Sequence, residues 1–410
     1  MKKKPSFRLV IVFLTLSILV SCSANSPAEP ERTLAEKLQE ALDRELALHQ
    51  VRGASAAVIV PGHATWLGTS GISHENVPIE AGMIFGIGSM TKNFMATIIL
   101  QLAEEGVLTL DDTVQQWLAP LPNIDGGITI RQLLNHTSGL YDFTEHPDWG
   151  EGILADMERI WSPEETISAF VLDPVFAPGA GYEYSSTNYL VIGMIVEEAT
   201  GTPVSVQLRN RILGPLGLTV SFFSVEEEIV GTLAHRWGDI DEDGQLEDLS
   251  AYSRNALDSM LWASGALYST AENMARYSRA LFNRALFTQG SLDQMLTWIP
   301  YPHNPALGYG FGILVIPDFV PGVLAYGHDG TVPCYKGRWA YLPDHGVHIV
   351  VFLNEDNYEC LTAITIALAN VALEHSRLSW GNTSASTKLR PRRLNYLRSL
   401  WSNYAVGDRG

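Results

Sequence analysis

The chain has 410 residues, of which 46% are hydrophobic and 18% charged, so it holds enough apolar mass for a sizeable core. Its formal net charge of -18 lacks the basic footprint of a nucleic-acid binder, and we expect no nucleic-acid partner. An acidic substrate would have to be held by local groups, because the bulk charge does not attract it.

The N-terminus has the pattern of a targeting segment. "MKKKPSFR" is basic, and "LVIVFLTLSILV" is an apolar run of 12 residues, too short to span a bilayer but suited to a secretory signal. "LVSC" then resembles a bacterial lipobox ending at Cys22. Residues 1–21 are therefore predicted to be a lipoprotein signal peptide and Cys22 the lipid-bearing residue, which makes the protein an exported, membrane-anchored lipoprotein of the cell envelope. An ordinary signal peptide with an incidental cysteine is the alternative.

The rest of the chain divides into three parts by composition. Residues 22–33 are rich in Pro and Ser and are predicted to be a tether, and residues 34–378 are predicted to form the folded domain. Residues 379–410 combine a linker with a basic amphipathic tail. Contact of this tail with an anionic membrane surface is one interpretation. An extra helix packed on the domain, or a frayed end, is the other.

Periodicity predicts helices at both ends of the domain and in its middle. The predicted helices are 34–49, 89–105, 111–118, 129–136, 163–172, 187–200, 203–213 and 361–375. Short strands are expected around Pro61-Gly62 and again late in the chain, where the turns are too short for parallel crossovers. This order predicts an α/β (α+β) fold. An antiparallel sheet is built from both chain ends and flanked by helices, and the mostly helical middle forms a second lobe.

The stretch "FGIGSMTKNF", residues 85–94, places Ser89 three positions before Lys92. At a helix start this spacing puts both side chains on one face, beside free N–H groups and the positive end of the helix dipole. Burial and the dipole would lower the lysine pKa, so that a neutral Lys92 could take the Ser89 proton. A chain of this length contains about one S-x-x-K by chance, so the pair needs further support.

A second stretch, "FAPGAGYEYSSTNYLVIGMIVEEATG", places Tyr184 and Ser186 on a turn before an apolar helix. A phenol beside an ammonium can be held as phenolate, or it can relay a proton to a leaving group. The alternative is that Tyr182, Tyr184 and Tyr189 only pack.

A third stretch, "YGHDGTVPCYKG", puts His328 at the opening of a strand and Gly330 two residues later. A glycine there would let a substrate lie against the strand backbone. The Thr331 N–H could pair with the Ser89 N–H as oxyanion donors. A lone histidine on a strand is more often structural than catalytic.

Together the three stretches resemble the serine penicillin-recognising enzymes. S-x-x-K near residue 90, Y-x-(N/S) about 95 residues later and H-x-G before the final strands share their order and spacing. "ITIRQLLNHTSGLYDF", "ASGALYSTAENMARY" and "GYGFG" extend the likeness over roughly residues 35–375. The chain is most similar to serine D-alanyl-D-alanine carboxypeptidases, with class C β-lactamases and related esterases as wider relatives.

The resemblance implies a β-lactamase/transpeptidase-like fold and assigns roles to residues of this chain. Ser89 is the implied nucleophile, Lys92 its base partner and Tyr184 the proton relay. The implied substrate-binding residues are Ser186, His328, Gly330 and Thr331. His328 stands where β-lactamases carry a lysine.

Three positions depart from the family pattern. Ser186 replaces the common Asn and lacks an amide to orient a substrate carbonyl. Leu314 follows the "GYGFG" segment, where relatives can carry an arginine for the substrate carboxylate. Cys334 occupies a turn position that is usually Gly. It could also pair with Cys360, since an exported protein permits a disulfide, but sequence alone does not decide this.

We expect neither cofactor nor metal. No HExxH, CxxC or P-loop occurs in the sequence. "DIDEDG" resembles the first half of an EF-hand loop, but the twelfth position is Ser250 rather than Glu. A hairpin turn is the better interpretation.

The sequence therefore predicts an exported hydrolase with an acyl-enzyme on Ser89, acting on cell-wall peptides as a D-alanyl-D-alanine carboxypeptidase and reacting with β-lactams. An esterase or β-lactamase on the same site is the alternative, as is a receptor that binds penicillin or peptidoglycan without hydrolysis. Strand alternation predicts Lys336 and Arg338 on the face opposite Thr331, unless Pro333 and the turn after it break the alternation. The substrate carboxylate would then be weakly held, and esters or amides would react at least as well as free acids.

Overall fold

The computed structural model describes residues 32–239, 243–302 and 304–379. The chain divides into two units after Thr33, and every described helix and strand belongs to the unit that begins at Leu34. The predicted signal peptide with Cys22, most of the tether and the basic tail lie outside the described residues. Among the described helices, none is both long enough and apolar enough to cross a bilayer.

Most of the described strands lie near the start or the end of the unit, and four short strands lie in its middle. In chain order they are β1 (Gly53–Ile59), β2 (Trp66–His74), β3 (Val77–Pro78), β4 (Phe85–Gly86), β5 (Ser221–Phe223), β6 (Trp237–Gly238), β7 (Glu247–Asp248), β8 (Leu267–Ser269), β9 (Ile299–Tyr301), β10 (Asn304–Tyr309), β11 (Leu314–Val320), β12 (Val323–Val332), β13 (Tyr335–Leu342) and β14 (Val347–Leu353).

Helices fill the middle of the unit and flank it at both ends. In chain order they are α1 (Leu34–His49), α2 (Thr91–Glu104), α3 (Val114–Trp117), α4 (Ile130–Leu134), α5 (Trp149–Ala155), α6 (Pro163–Phe170), α7 (Thr187–Thr200), α8 (Val204–Leu208), α9 (Asn255–Leu261), α10 (Ala271–Phe282), α11 (Gln289–Leu296) and α12 (Tyr358–Ser379).

Strands from both ends of the unit join in one sheet. Within the described ranges, nine strands pair in the order β3-β2-β1-β14-β13-β12-β11-β10-β9, and the pairs are antiparallel. β1 pairs with β14, so the first and last strands of the unit meet within the sheet. The predicted fold class, including an antiparallel sheet made from both chain ends, is confirmed.

The sheet is buried on both faces, and β14 shows why its sequence is a continuous apolar run. Alternate side chains of a strand point to opposite faces. Val350 and Phe352 enter the core shared with the helical lobe, whereas Ile349 and Val351 enter the core formed with α1 and α12. Because both faces are covered, a polar residue in β14 needs a partner, and His348 has one in Ser278 of α10.

Several predicted helices are shorter in the structure, and side-chain caps explain where they begin. Thr129 and Gln132 form a capping box, so α4 begins at Ile130. It ends at Leu134 rather than 136 because His136 adopts a left-handed backbone with φ +60°. The predicted 203–213 helix is α8 followed by a π-helical turn over Arg209–Leu213.

Two local predictions can also be compared with the structure. Cys334 and Cys360 are both free and buried, so they do not form the disulfide that the sequence left open. The strands β6 and β7 pair on either side of "DIDEDG", as a hairpin requires. Asp239 accepts hydrogen bonds from the N–H groups of Asp243 and Gly244, which turns the chain there.

Candidate active site

Ser89 lies in a glycine-dependent turn that packs on strand β12. A short 3-10 helix over Gly88–Met90 precedes α2, and Gly88 has a left-handed backbone with φ +53°. A Cβ at Gly88 would lie 2.5 Å from the Thr331 carbonyl oxygen and 2.7 Å from its nitrogen. Only glycine allows this close approach, which places the serine beside the end of β12.

Gly330 serves the same contact from the other side. A Cβ there would collide with the Ile87 carbonyl oxygen of the Ser89 turn. From the sequence, this glycine is expected to make room for a substrate. The Ile87 carbonyl oxygen fills the space that a side chain at this position would need, and the predicted contact of Gly330 with substrate stays a prediction.

Lys92 is placed as the sequence predicts, one helical turn after Ser89. Its side chain is buried at 1% exposure, and Nζ lies 3.0 Å from Ser89 Oγ. Nζ also donates to the Ser264 carbonyl at 2.9 Å and lies 3.5 Å from Ser186 Oγ. Burial lowers the pKa of Lys92 to about 7, while the charge of Asp142 acts in the opposite direction. A large fraction of the amine is therefore neutral near pH 7 and can accept a proton.

Tyr184 contacts both Ser89 and Lys92. Its hydroxyl hydrogen-bonds Ser89, and its ring centroid lies 5.0 Å from Lys92 Nζ. Burial raises the pKa of Tyr184 far above its usual range, in spite of the bond to Ser89. Of the two interpretations of the sequence, the neutral phenol that donates a proton is favoured over a phenolate.

Ser186 lies beside the lysine rather than at an open surface. It is buried at 6% exposure, and its N–H donates to Asp142 Oδ2 at 3.0 Å. The Ser186 hydroxyl oxygen lies 3.5 Å from Lys92 Nζ, so its side chain contacts the lysine. The predicted contact with substrate stays a prediction, and the contact with Lys92 was not foreseen.

His328 is buried and neutral. A carbonyl oxygen can only accept, so the 2.5 Å contact between Nδ1 and the Asp329 carbonyl places the ring proton on Nδ1. Nε2 then accepts the Tyr309 hydroxyl at 2.8 Å. Burial lowers the pKa of His328 to about 4, against the opposing effect of the bond to Asp329. The position where β-lactamases carry a lysine therefore has no positive charge in this chain at neutral pH.

Thr331 and Lys336 contradict the predicted alternation. They are partners across the β12–β13 hairpin, and Lys336 Nζ donates to Thr331 Oγ1 at 3.1 Å. The two-residue turn at Pro333 and Cys334 reverses the chain, and residues paired across a hairpin share a face. Alternation counted straight through the turn therefore gives the wrong face for Lys336.

Arg338 shares the face of Lys336, because residues two apart on a strand point the same way, but it does not converge on Thr331. Its partner on β12 is Asp329, two residues before Thr331. Arg338 binds that carboxylate through two nitrogens at 2.5 and 2.9 Å. The Tyr358 hydroxyl of α12 completes this buried cluster. The result is an ion pair that ties the strand of His328 to α12.

Leu314 does not supply a cation for a substrate carboxylate, as its residue type predicts. It is buried in β11 at 2% exposure and offers no charge to a substrate. A cation for a substrate carboxylate would therefore have to come from another element, and Lys336 is the one placed next to Thr331.

Two groups of the site were missed by sequence reasoning. Asp142 is a buried carboxylate that binds the Ser186 N–H, and the Ser264 carbonyl is the closest partner of Lys92 Nζ. Both lie in stretches that carry the family resemblance, but a backbone carbonyl leaves no signal in residue type. His136 fixes its loop, since its Nδ1 accepts from the Ser185 N–H and the Asn188 amide.

Comparison with known proteins, by sequence and by fold, assigns the chain to a family. The family model described as Beta-lactamase matches residues 37–372. The chain is 30% identical to penicillin-binding protein 4 of Amycolatopsis lactamdurans, over 77% of this chain and 84% of that protein. It is 28% identical to the putative penicillin-binding protein PbpX of Bacillus subtilis, but spans only 64% of that relative's length and 69% of its own.

A solved structure agrees over a larger share of the chain. A D-stereospecific amidohydrolase from Streptomyces sp. has a TM-score of 0.71 and 30% identity, over 81% of this chain and 98% of that one. The family model covers most of the chain, and the fold of the solved relative matches. The chain belongs to the beta-lactamase family, in the superfamily of serine β-lactamases and penicillin-binding proteins.

Proposed function

We propose that this protein is a serine hydrolase that forms an acyl-enzyme on Ser89. The observation that carries the proposal is the buried Lys92 amine, 3.0 Å from Ser89 Oγ and with a pKa lowered to about 7. Ser89 itself is half-buried, so a substrate can reach it. A hydroxyl beside a neutral amine is an activated nucleophile.

Acylation begins when Lys92 Nζ takes the Ser89 proton and Oγ attacks the substrate carbonyl carbon. The new C–Oγ bond moves an electron pair to the carbonyl oxygen, which we expect the N–H groups of Ser89 and Thr331 to stabilise. The positive charge now on Lys92 is stabilised by the Ser264 carbonyl and by the nearby Asp142 carboxylate. These partners reduce the free-energy cost of the buried ammonium.

Collapse of this adduct breaks the bond to the leaving group. The Tyr184 hydroxyl gives its proton to the departing nitrogen or oxygen and regains one from Lys92, which becomes neutral again. Water then attacks the carbonyl carbon of the acyl-enzyme and gives a proton to Lys92. The C–Oγ bond breaks, Ser89 recovers its proton, and the acid product leaves.

For the substrate we favour peptides with a C-terminal D-amino acid, as in a D-alanyl-D-alanine carboxypeptidase. Such a substrate carries a carboxylate that needs a cation or several donors when it is desolvated. Lys336 and the exposed Thr331 hydroxyl offer both next to the Ser89 turn. Asp356, 3.5 Å from Lys336 Nζ and half exposed, balances this charge until a substrate carboxylate replaces it. The relatives named for penicillin binding and for D-stereospecific hydrolysis support the same class.

The substrate proposal is tested by comparing three forms of one compound. An N-acylated D-alanyl-D-alanine should be hydrolysed with a kcat/KM at least about tenfold above its C-terminal amide, and Lys336→Met should remove that preference without slowing the amide. Lys37→Met on α1 is the matched control and should keep it. An equal or better rate for the amide or the methyl ester would favour an esterase.

A β-lactamase and a penicillin receptor would share the acylation step and differ after it. The β-lactamase would release hydrolysed penicillin, whereas the receptor would retain the acyl group. Two features are compatible with either a β-lactamase or a receptor: His328 is uncharged, and Ser186 stands where the family commonly has Asn. Mixing the protein with a fluorescent penicillin and following both label and free product over hours separates turnover from retention.

Export and lipid attachment are a separate part of the proposal. They rest on the basic and apolar N-terminal pattern and on Cys22. Mass spectrometry of the protein purified from its native membrane should show an N-terminal acylated Cys22. An intact Met1, or a start beyond Ala24, would contradict it.

A further inference from the structure

Trp262 has an unusual backbone for a large side chain. It joins α9 to a short 3-10 turn over Trp262–Ser264, with φ +35° and ψ -121°. This is the left-handed half of the map, which L-residues rarely occupy and glycine prefers. Non-glycine residues held in such conformations cluster at functional sites, and the surrounding structure must hold them there.

Three elements hold Trp262 in place. Its indole N–H donates to Glu226 Oε1 at 2.6 Å, and Glu226 Oε2 accepts the Ser205 N–H of α8 at 2.9 Å. The ring occupies the space above Gly193 of α7, where a Cβ would lie 2.5 Å from a ring carbon. The side chain is 5% exposed. The position is therefore set by a buried hydrogen bond and by packing that a larger residue at Gly193 would prevent.

The turn that Trp262 starts carries the closest partner of the general base. The Ser264 hydroxyl donates to the Leu261 carbonyl at 2.6 Å and closes the turn. The Ser264 carbonyl then accepts from Lys92 Nζ at 2.9 Å. A carbonyl can only accept, so it takes one of the two N–H groups of a neutral amine. With the second N–H toward Ser186 Oγ at 3.5 Å, the lone pair is left to face Ser89.

We propose that Trp262 is a positioning residue for the general base: its constrained turn holds the Ser264 carbonyl where it directs the Lys92 lone pair at Ser89. This inference rests on the proposed acyl-enzyme function and adds a residue to it. Trp262 touches neither Ser89 nor substrate in this scheme and acts only through Ser264 and Lys92.

The pH dependence of acylation can report on this arrangement because the other groups that face Lys92 stay in place. They are Asp142, His136, His328, Tyr184 and Tyr189. Loss of the Ser264 acceptor disfavours the ammonium, so the acidic limb of the rate profile should move to lower pH. The plateau rate should fall because the lone pair is no longer directed.

The test uses the full-length protein, a fluorescent penicillin and a p-nitrophenyl ester, between pH 5 and 9. Trp262→Phe keeps an aromatic side chain, although a smaller one, and removes the indole donor, and Glu226→Gln weakens the same bond from the other side without changing the ring. Each should lower the plateau rate at least about fivefold, leave KM for the ester unchanged and shift the acidic limb to lower pH. Trp117→Phe in α3, which removes an indole hydrogen bond to Asp112, is the matched control and should change neither the plateau rate nor the position of the acidic limb.

The outcomes separate the inference from the proposed function. If wild-type protein is not acylated by either probe, the proposed function fails. If wild type reacts but either folded variant keeps its rate, or loses rate with an unmoved limb, the positioning role is wrong. Should Trp262→Phe not fold by thermal melting, Glu226→Gln alone decides.

Discussion

Lys92 Nζ lies 3.0 Å from Ser89 Oγ, and the lysine that makes this contact is almost wholly buried. Helix α2, which carries it, is buried along nearly its whole length, so the amine cannot reach bulk water. Its polar partners are the Ser264 carbonyl, Ser186 and Ser89, and none of them carries a full negative charge. Burial therefore lowers the pKa of the amine and also imposes a free-energy cost on the fold.

The rate of acylation should fall below about pH 7. The reactive form is the neutral Lys92 amine, whose pKa is lowered to about 7, so kcat/KM should drop about tenfold per pH unit below that value. His136 and His328 are already neutral there, because burial lowers the pKa of each. In Asp142→Asn, loss of the charge that raises the Lys92 pKa should move the limb to lower pH. A limb that stays fixed in this variant would show that another group controls the rate.

Replacing Lys92 by methionine should stabilise the fold while it abolishes activity. The unfolded lysine binds its proton up to about pH 10.5 but the folded one only to about 7, so the lysine destabilises the fold most at or below pH 7. Allowing for lost hydrogen bonds, Lys92→Met should gain about 2–4 kcal/mol of unfolding free energy at pH 7. Chemical denaturation at pH 7 and 9.5 checks this, and the gain should shrink at the higher pH. Lys37→Met is the control, and a gain independent of pH would refute the explanation.

Tyr184→Phe should separate substrates by their leaving group. An amine leaving group needs a proton, whereas p-nitrophenolate does not, so loss of the relay should slow amide hydrolysis about 10²–10⁴-fold and the p-nitrophenyl ester less than about tenfold. The ring and its packing against His136, at 4.3 Å between centroids, remain in the variant. Equal losses for both substrates would mean that Tyr184 acts on Ser89 itself and not on the leaving group.

Local sequence signals predicted most of the fold and the pair at the centre of the site. The periodicity of α1 and α7 and the apolar run of β14 act over a few residues, and these elements form as expected. Ser89 and Lys92 are one helical turn apart, so their contact too is a local property.

The parts that could not be predicted depend on contacts between distant elements. Asp142 reaches Ser186 across 44 residues, and the Ser264 carbonyl reaches Lys92 across 172. The face of Lys336 depends on a turn in which Pro333 fixes one backbone angle and Cys334 takes a left-handed one, with φ +69°. Alternation is a rule for a single strand, and it fails when the count passes through such a turn.

The most direct test of the central claim is the mass of the protein after brief exposure to penicillin, followed by mapping of the modified peptide. The account predicts one penicillin adduct on Ser89, none in Ser89→Ala, and acylation at least about a hundredfold slower in Lys92→Arg, since arginine stays protonated and cannot accept the serine proton. An adduct on another residue, or acylation of Lys92→Arg at the wild-type rate, would contradict it.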